Sequence, residues 1–243
     1  MKKSFSFQSV EIENNTKSIS VVIPAHNEAK TIESVIKDIH DYEYFKSLDL
    51  NLSLVVVDDG SADGTAAILK RLKTDVPCLE TITHLQNLGY NVSLADGIFY
   101  CSEKKDVDII VTFDADGQHF VEDIKRIMLP IENGEADYVI GARNPLPRLF
   151  EKFVARIVGV KDATCGLRAL KRDISYIFKN ENVYGAESII KARMEGFKVK
   201  EVSIKTRERL HGKPIHLSFN DAFRLLKIIL LRLKEIFVEN PKS

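Results

Sequence analysis

Asp114-Ala115-Asp116-Gly117-Gln118-His119 follows directly on the apolar run 108–113. Two carboxylates one residue apart at the end of a buried strand repel each other and lose hydration. A divalent cation bridging diphosphate oxygens would offset that cost. Magnesium or manganese suits the hard oxygens of Asp114 and Asp116, and Gln118 offers a further neutral oxygen at the next alternate position. His119 offers either a nitrogen ligand or a cap for the helix that follows. Alone, an Asp-x-Asp carries little weight, because aspartate is also a common turn former and helix cap. Asp63, two residues before Thr65 at a helix start, reads as such a cap.

A second cluster, Val57-Asp58-Asp59-Gly60-Ser61, closes another apolar run. Carboxylates there can accept bonds from the imino group of a base and from ribose hydroxyls, and Asp59 is the better placed. Gly60 permits a sharp turn beneath a nucleotide. Pro24-Ala25-His26-Asn27-Glu28 and Gln86-Asn87-Leu88-Gly89 end two more strand-like runs. No Gly-x-Gly-x-x-Gly and no Gly-x-x-x-x-Gly-Lys-Ser/Thr occurs in the chain, which excludes a dinucleotide fingerprint and a P-loop. Phosphate charge must then be met by metal and arginine.

The elements that carry these clusters alternate between strand-like runs and helical periodicity. Strand 19–24 leads to a helix at about 30–42, strand 52–57 to helix 64–72, and strand 81–85 to helix 92–101. Strand 108–113 then leads to helix 122–131, and a strand at 138–142 closes the series. This order predicts an α/β fold, a mostly parallel sheet with helices on both faces. Ligands bind such sheets at the carboxyl ends of the strands, where all four clusters lie.

The 243 residues, 44% hydrophobic and 29% charged, suffice for one large soluble globular domain. Expected boundaries are a polar lead-in at 1–17, a core domain at 18–216, and a C-terminal amphipathic helix and tail at 217–243. Cys78, Cys101 and Cys165 are odd in number and lack metal-ligand spacing, which points to a reducing compartment. Neither an export signal nor an apolar run of about 18 residues is visible. Net charge is zero, but residues 50–140 carry 16 acidic and 7 basic side chains and residues 141–243 carry 11 and 22. The acidic half can hold a hard cation and the basic half can face phosphate or an anionic membrane.

The segments V-V-I-P-A-H-N-E, V-V-D-D-G-S-A-D-G-T, N-L-G, F-D-A-D-G-Q-H, G-A-R and D-A-T-C-G-L-R occur in this order. Over about 19–212 the chain resembles family 2 glycosyltransferases of GT-A fold, and within them the dolichol-phosphate mannosyltransferase and polyprenyl-phosphate glycosyltransferase branch. The resemblance implies that Pro24, Ala25, His26, Glu28, Val57, Asp59 and Ala115 surround the nucleotide. It implies that Asp114, Asp116 and Gln118 hold metal and diphosphate, with Asp116 also among the catalytic residues, and that Arg143 matches the arginine of the family's G-S-R. Three positions depart from the pattern. His26 replaces the usual tyrosine, Tyr90 and Asn91 replace basic or glycine residues after N-x-G, and Lys213 stands two places earlier than the family's late lysine. The base, guanine or uracil, is left open.

Arg207, Arg209 and Lys213 belong to a late basic loop that can close over a diphosphate and stabilise the leaving nucleotide. A solvated basic loop is the plainer alternative. Arg168 is expected to face the acceptor phosphate, with Asp162 holding it or a neighbouring arginine, and Cys165 reads as a small buried hydrophobe. Transfer to a hydroxyl would need a general base. The one Glu-Asp pair, Glu122-Asp123, falls in a first helical turn, where acidic residues meet the helix dipole. Asp162 and Glu187 are the remaining candidates for a base. A lipid phosphate needs none, so the expected reaction is inverting, metal-dependent transfer from a GDP- or UDP-sugar to a dolichyl or undecaprenyl phosphate.

Phe219, Phe223, Leu226, Leu230, Leu233 and Phe237 share one helical stripe, opposite Arg224, Lys227 and Lys234, the pattern of an interfacial helix. Ile228 and Leu231 interrupt the polar face, so docking on the body or on a partner subunit is an equal alternative. The expected location is cytoplasmic, peripheral on the cytoplasmic membrane face, with no nucleic-acid partner. The alternatives are transfer to a carbohydrate hydroxyl, a nucleotidyltransferase making nucleotide sugars, and a non-catalytic nucleotide- or glycan-binding module. Against the nucleotidyltransferase, Pro24 to Glu28 contains no glycine-rich phosphate loop.

Overall fold

The computed structural model describes residues 18–47, 50–144, 146, 149–179, 185–207 and 227–234. Its strands are β1 (Ser18–Ala25), β2 (Asn51–Asp58), β3 (Leu79–Thr83), β4 (Ile109–Thr112), β5 (Tyr138–Arg143), β6 (Arg168–Lys171) and β7 (Val199–Ile204). They form one sheet in the order β3-β2-β1-β4-β6-β5-β7. β1, β2, β3 and β4 run parallel to their neighbours in that half, and β7 runs parallel to β5. β6 lies antiparallel between β4 and β5. A strand buried on both faces needs no alternation, which is why β1 reads as a mainly apolar run, broken only by Ser18 and Ser20, and is buried along its whole length.

The helices are α1 (Ile32–His40), α2 (Glu43–Ser47), α3 (Thr65–Asp75), α4 (Tyr90–Ser102), α5 (Glu122–Glu132), α6 (Leu149–Val158) and α7 (Ala186–Met194), with a 3-10 helix at Arg172–Lys179. α1 shows how they attach: Ile32, Val35, Ile36 and Ile39 recur at helical spacing and are buried together, leaving Glu33 and Lys37 to pair outside. The helix expected at 30–42 is α1 at Ile32–His40, and the short α2 at Glu43–Ser47 follows beyond the expected range. The strand expected at 81–85 lies two residues earlier. Thr83 pairs with Asp58, the last residue of β2, so the chain leaves the sheet there and Leu85 stands fully exposed.

Two consequences bear on the site. β1 pairs with β2 up to Ala25 and Asp58, and with β4 up to Val22 and Thr112. The chain therefore diverges on either side of β1, and that switch point is where an open α/β sheet makes its binding crevice. At the other end of the sequence, 227–234 is helical and docks through Ile228, which is 3% exposed, and Leu231. Leu230 and Leu233 face outward at 58% and 48% exposed. The residues that interrupt the polar face are thus the ones that hold this helix to the body. Residues 1–17 and 208–226, with Phe219, Phe223, Arg224, Leu226, Arg209 and Lys213, lie outside the described residues, as does Phe237.

Candidate active site

The turn after β4 is built around Asp114. Its Oδ1 accepts the Tyr90 hydroxyl at 2.6 Å and its Oδ2 faces Nε2 of His119 at 3.1 Å. Burial pushes this carboxyl up, but the His119 and Tyr90 hydrogen bonds and the nearby Arg143 charge prevail and hold it below the usual carboxylate range. Gly166, from the loop before β6, closes the other side: a Cβ there would lie 2.1 Å from Oδ2 and 2.3 Å from Oδ1. Asp116, 6% exposed, accepts the backbone N–H of Gln118 at 3.0 Å. Gln118 in turn exchanges backbone bonds with the basic segment, its carbonyl accepting Arg207 N–H at 2.8 Å, while its side-chain amide donates to the Arg207 carbonyl at 3.4 Å. His119 does not cap α5. It orients Asp114, leaving Nδ1 buried beside a cavity of about 40 Å³ lined by Ser34, Asp38 and Gly117.

The turn after β2 faces the same crevice. Asp59 is 3% exposed, and its carboxylate accepts the backbone N–H groups of Leu88 and Gly89, both at 2.8 Å, and meets His84 Nδ1 at 2.8 Å. Burial raises its pKa and those three partners more than compensate, so it too is held low. Its carboxylate therefore anchors loop 84–89. His26 Nδ1 lies 2.7 Å from the Asp59 carbonyl, and Asn27, at φ 57°, bridges from β1 to the 61–62 turn through Ser61 Oγ and Ala62 N–H. Pro24, Ala25 and Glu28 border this edge, and Glu28 N–H is fixed by Thr65 Oγ1 at 3.0 Å. Asp63 does bind the N–H of Thr65 at 2.9 Å and also that of Ala29. Val57 and Ala115 are core positions, and the Val57 side chain packs where a Cβ on Gly97 of α4 would meet it.

Arg143, at the end of β5, pairs with Asp162 through Nε at 2.6 Å and the second guanidinium nitrogen at 3.1 Å, and donates to Thr164 Oγ1 at 2.8 Å. Burial opposes its charge, and the Asp162 bond outweighs that and keeps it protonated. The expectation that Asp162 holds a neighbouring arginine is met by Arg143. For Arg168 the structure requires a correction. Arg168 is fully buried, and its guanidinium donates to the carbonyls of Cys165, Ala163 and Gly185 and to the hydroxyls of Tyr138 and Ser188. It sits beneath the sheet as a clamp between the 162–166 loop and α7, out of reach of an acceptor phosphate. Cys165 is buried and its thiol is pushed up to about 12 by that burial, so it is no nucleophile at neutral pH.

Residues 20–148 match the model of glycosyl transferase family 2. The chain belongs to this family. It is 29% identical to the UDP-N-acetylglucosamine–dolichyl-phosphate N-acetylglucosaminyltransferase of Methanococcus voltae, over 87% of this chain and 96% of that one. It is 28% identical to the polyprenol monophosphomannose synthase of Mycolicibacterium smegmatis, over 81% and 80% of the two chains. Among solved structures, glucosyl-3-phosphoglycerate synthase from Mycobacterium tuberculosis, crystallised with Mn2+, UDP and glucosyl-3-phosphoglycerate, superposes with a TM-score of 0.62. That match has 19% identity and covers 90% and 80% of the chains. The fold is GT-A and the protein is a glycosyltransferase, which removes the nucleotidyltransferase and the non-catalytic module.

Within the glycosyltransferase, Asp114, Asp116, Gln118, Asp59, His26 and Arg207 come together at the carboxyl edge of the sheet. Arg207 stacks its guanidinium 4.4 Å above the Phe120 ring. Asp123 of the Glu122-Asp123 pair bonds Arg126 at 2.6 Å in the first turn of α5, a helix-end role. The donor set fits a magnesium or manganese ion: one carboxylate held ionised, a second two residues on, and an amide. Among the described residues no three His, Cys, Asp or Glu side chains gather into a metal cage. Four contributors escaped sequence reasoning in their roles. Tyr90 showed there only as a departure from the family pattern, Thr164 and Gly166 only as unassigned members of the D-A-T-C-G-L-R segment, and His84 carries no signal in a single sequence.

Proposed function

We propose that this glycosyltransferase moves a sugar, with inversion, from a nucleoside diphosphate sugar to a polyprenyl phosphate, using Mg2+ or Mn2+ held by Asp114, Asp116 and Gln118. The observation that carries the acceptor class is the Arg143–Asp162 pair. Asp162 is fully buried and spent on a bidentate bond, and Glu187, the other candidate base, is 1% exposed at the start of α7. An acceptor that already bears a negative charge has no proton to give up. One of its oxygens forms the new bond to the anomeric carbon as the bond from that carbon to the β-phosphate oxygen breaks, and the pair of electrons leaves with the nucleoside diphosphate. The metal, when bound, supplies positive charge to that leaving group. Arg207 adds cationic charge on the same side, with Arg209 and Lys213 close behind it in the sequence, and Arg143, pinned by Asp162 and Thr164, faces the acceptor.

The names of the relatives from Methanococcus and Mycolicibacterium, both transferases to lipid phosphates, support this acceptor. So does the surface. The exposed stripe of α6 consists of Leu149 at 83% and Phe153 at 52% exposed, with Lys152 and Arg156 beside them, and Leu230 and Leu233 add to the outward apolar area. Apolar anchors flanked by lysine and arginine suit a peripheral seat on the cytoplasmic, anionic membrane face. Among the described residues no helix is long and apolar enough to cross a membrane.

The test offers UDP- and GDP-sugars with either a polyprenyl phosphate or the matching polyprenol. Sugar should appear on the phosphate alone, with the anomeric configuration inverted by NMR, and Asp116→Ala or chelator should abolish both transfer and metal-dependent nucleotide binding. Transfer to the alcohol, a retained configuration, or equal nucleotide binding in chelator would refute the reading.

A further inference from the structure

Tyr90 begins α4 at a place where the chain has just been pinned by the nucleoside-side carboxylate. Asp59 holds the N–H groups of Leu88 and Gly89, and Gly89 adopts φ 98°, which turns the next residue toward β4. The Tyr90 hydroxyl then reaches Asp114 Oδ1 at 2.6 Å, on the opposite side of the crevice from the loop's anchor. The residue is 43% exposed. His119 takes the other oxygen of Asp114, and the carboxylate is held at both ends.

We propose that Tyr90 is a positioning residue that sets Asp114 ready for the divalent ion and ties its readiness to the nucleoside end of the cleft through Asp59. This rests on the metal site of the proposed function. Each carboxylate oxygen has two lone pairs, so a phenol on Oδ1 and an imidazole on Oδ2 fix the plane of the group and still leave room for a cation. Outer partners of this kind orient metal ligands, and their loss typically weakens metal binding by about 10–100-fold. Because the loop from His84 to Tyr90 has one anchor at Asp59 and the other at Asp114, slackening the first should loosen the second. By linkage the effect runs both ways.

Mn2+ binding by calorimetry, at saturating UDP, tests this in the full chain. Tyr90→Phe keeps the ring and should weaken Mn2+ about tenfold and raise the Mn2+ concentration needed for half-maximal rate. The KM for sugar nucleotide at saturating Mn2+ should stay within twofold. Tyr100→Phe, whose hydroxyl lies on Glu80 outside the site, should bind Mn2+ as the parent does. Asp59→Asn should weaken Mn2+ in the parent and add nothing once Tyr90 is phenylalanine. Parental Mn2+ affinity in Tyr90→Phe, or equal losses from Asp59→Asn in both backgrounds, would overturn the inference. A parent chain that binds no Mn2+ with UDP present would instead overturn the metal site itself.

Discussion

Gly166→Ala is a substitution of one methyl group that should disable the glycosyltransferase. The new Cβ would lie 2.1 Å from Asp114 Oδ2, 2.3 Å from Oδ1 and 2.4 Å from Cγ. The backbone at 166 cannot back away cheaply, since its carbonyl accepts Thr112 Oγ1 at 2.6 Å and the next carbonyl accepts Gly141 N–H at 2.9 Å. The carboxylate must therefore retreat by about 1.3 Å or more to reach van der Waals distance, and doing so breaks its bonds to Tyr90 and His119. Hydrogen bonds to a charged group are worth about 1.5–3 kcal/mol each, so about 3–6 kcal/mol of positioning is at stake. A displacement of about 1 Å at a reacting centre costs about a hundredfold in rate, and the overpacking itself costs about 1–3 kcal/mol of stability. Thermal melts with and without UDP and Mn2+, alongside turnover, measure both effects. Gly64→Ala is the control, since its methyl would meet Ala29 at an ordinary 3.7 Å. Gly166→Ala that stays folded and keeps the parental Mn2+-dependent shift would refute the reasoning.

Arg168→Ala should cost about 3–5 kcal/mol of stability by urea denaturation, because it opens a buried space and strands carbonyls that the guanidinium now serves. A rise in the acceptor KM with unchanged stability would contradict the buried placement. Asp114, Asp162 and Asp59 all have folded pKa values below their ordinary ones. The stability they contribute is therefore complete above about pH 4 and lost as pH falls below it toward their folded values. Asp162→Asn should flatten that acid-side slope in melts from pH 2 to 6, and an unchanged slope would count against the Arg143 pair. Leu230→Ser with Leu233→Ser should leave stability within about 0.5 kcal/mol and lower binding to anionic liposomes about a hundredfold, from about 1.5 kcal/mol per leucine. Undiminished liposome binding would remove this helix from the membrane contact.

Order and chemistry along the chain were legible in the residues themselves. The apolar runs of β1, β2 and β4 announce buried parallel strands, because a strand covered on both faces must be apolar throughout. The clusters that follow them must then gather at one edge, as Asp59 and Asp114 do. Local signals such as Asp63 beside Thr65 and the first-turn Glu122-Asp123 also read correctly, since Thr65 and Arg126, which they bond, lie within three residues.

The tertiary structure alone decided where each charge is spent. Arg143 and Arg168 look alike in sequence, but one ends β5 beside Asp162 and the other starts β6, the antiparallel strand whose place between β4 and β5 no periodicity announced. Insertion of that strand turns the Arg168 guanidinium down onto Gly185 and Ser188 and brings Gly166 against Asp114. Likewise, Ile228 and Leu231 were the exceptions on a polar face until the body offered them a surface. Gly185 lies 17 residues from Arg168 in the chain and Asp162 lies 19 from Arg143. Hydrophobic periodicity reports which face of an element is apolar, whereas the cost of burying a charge is settled by donors and acceptors that only the packed layers bring within reach.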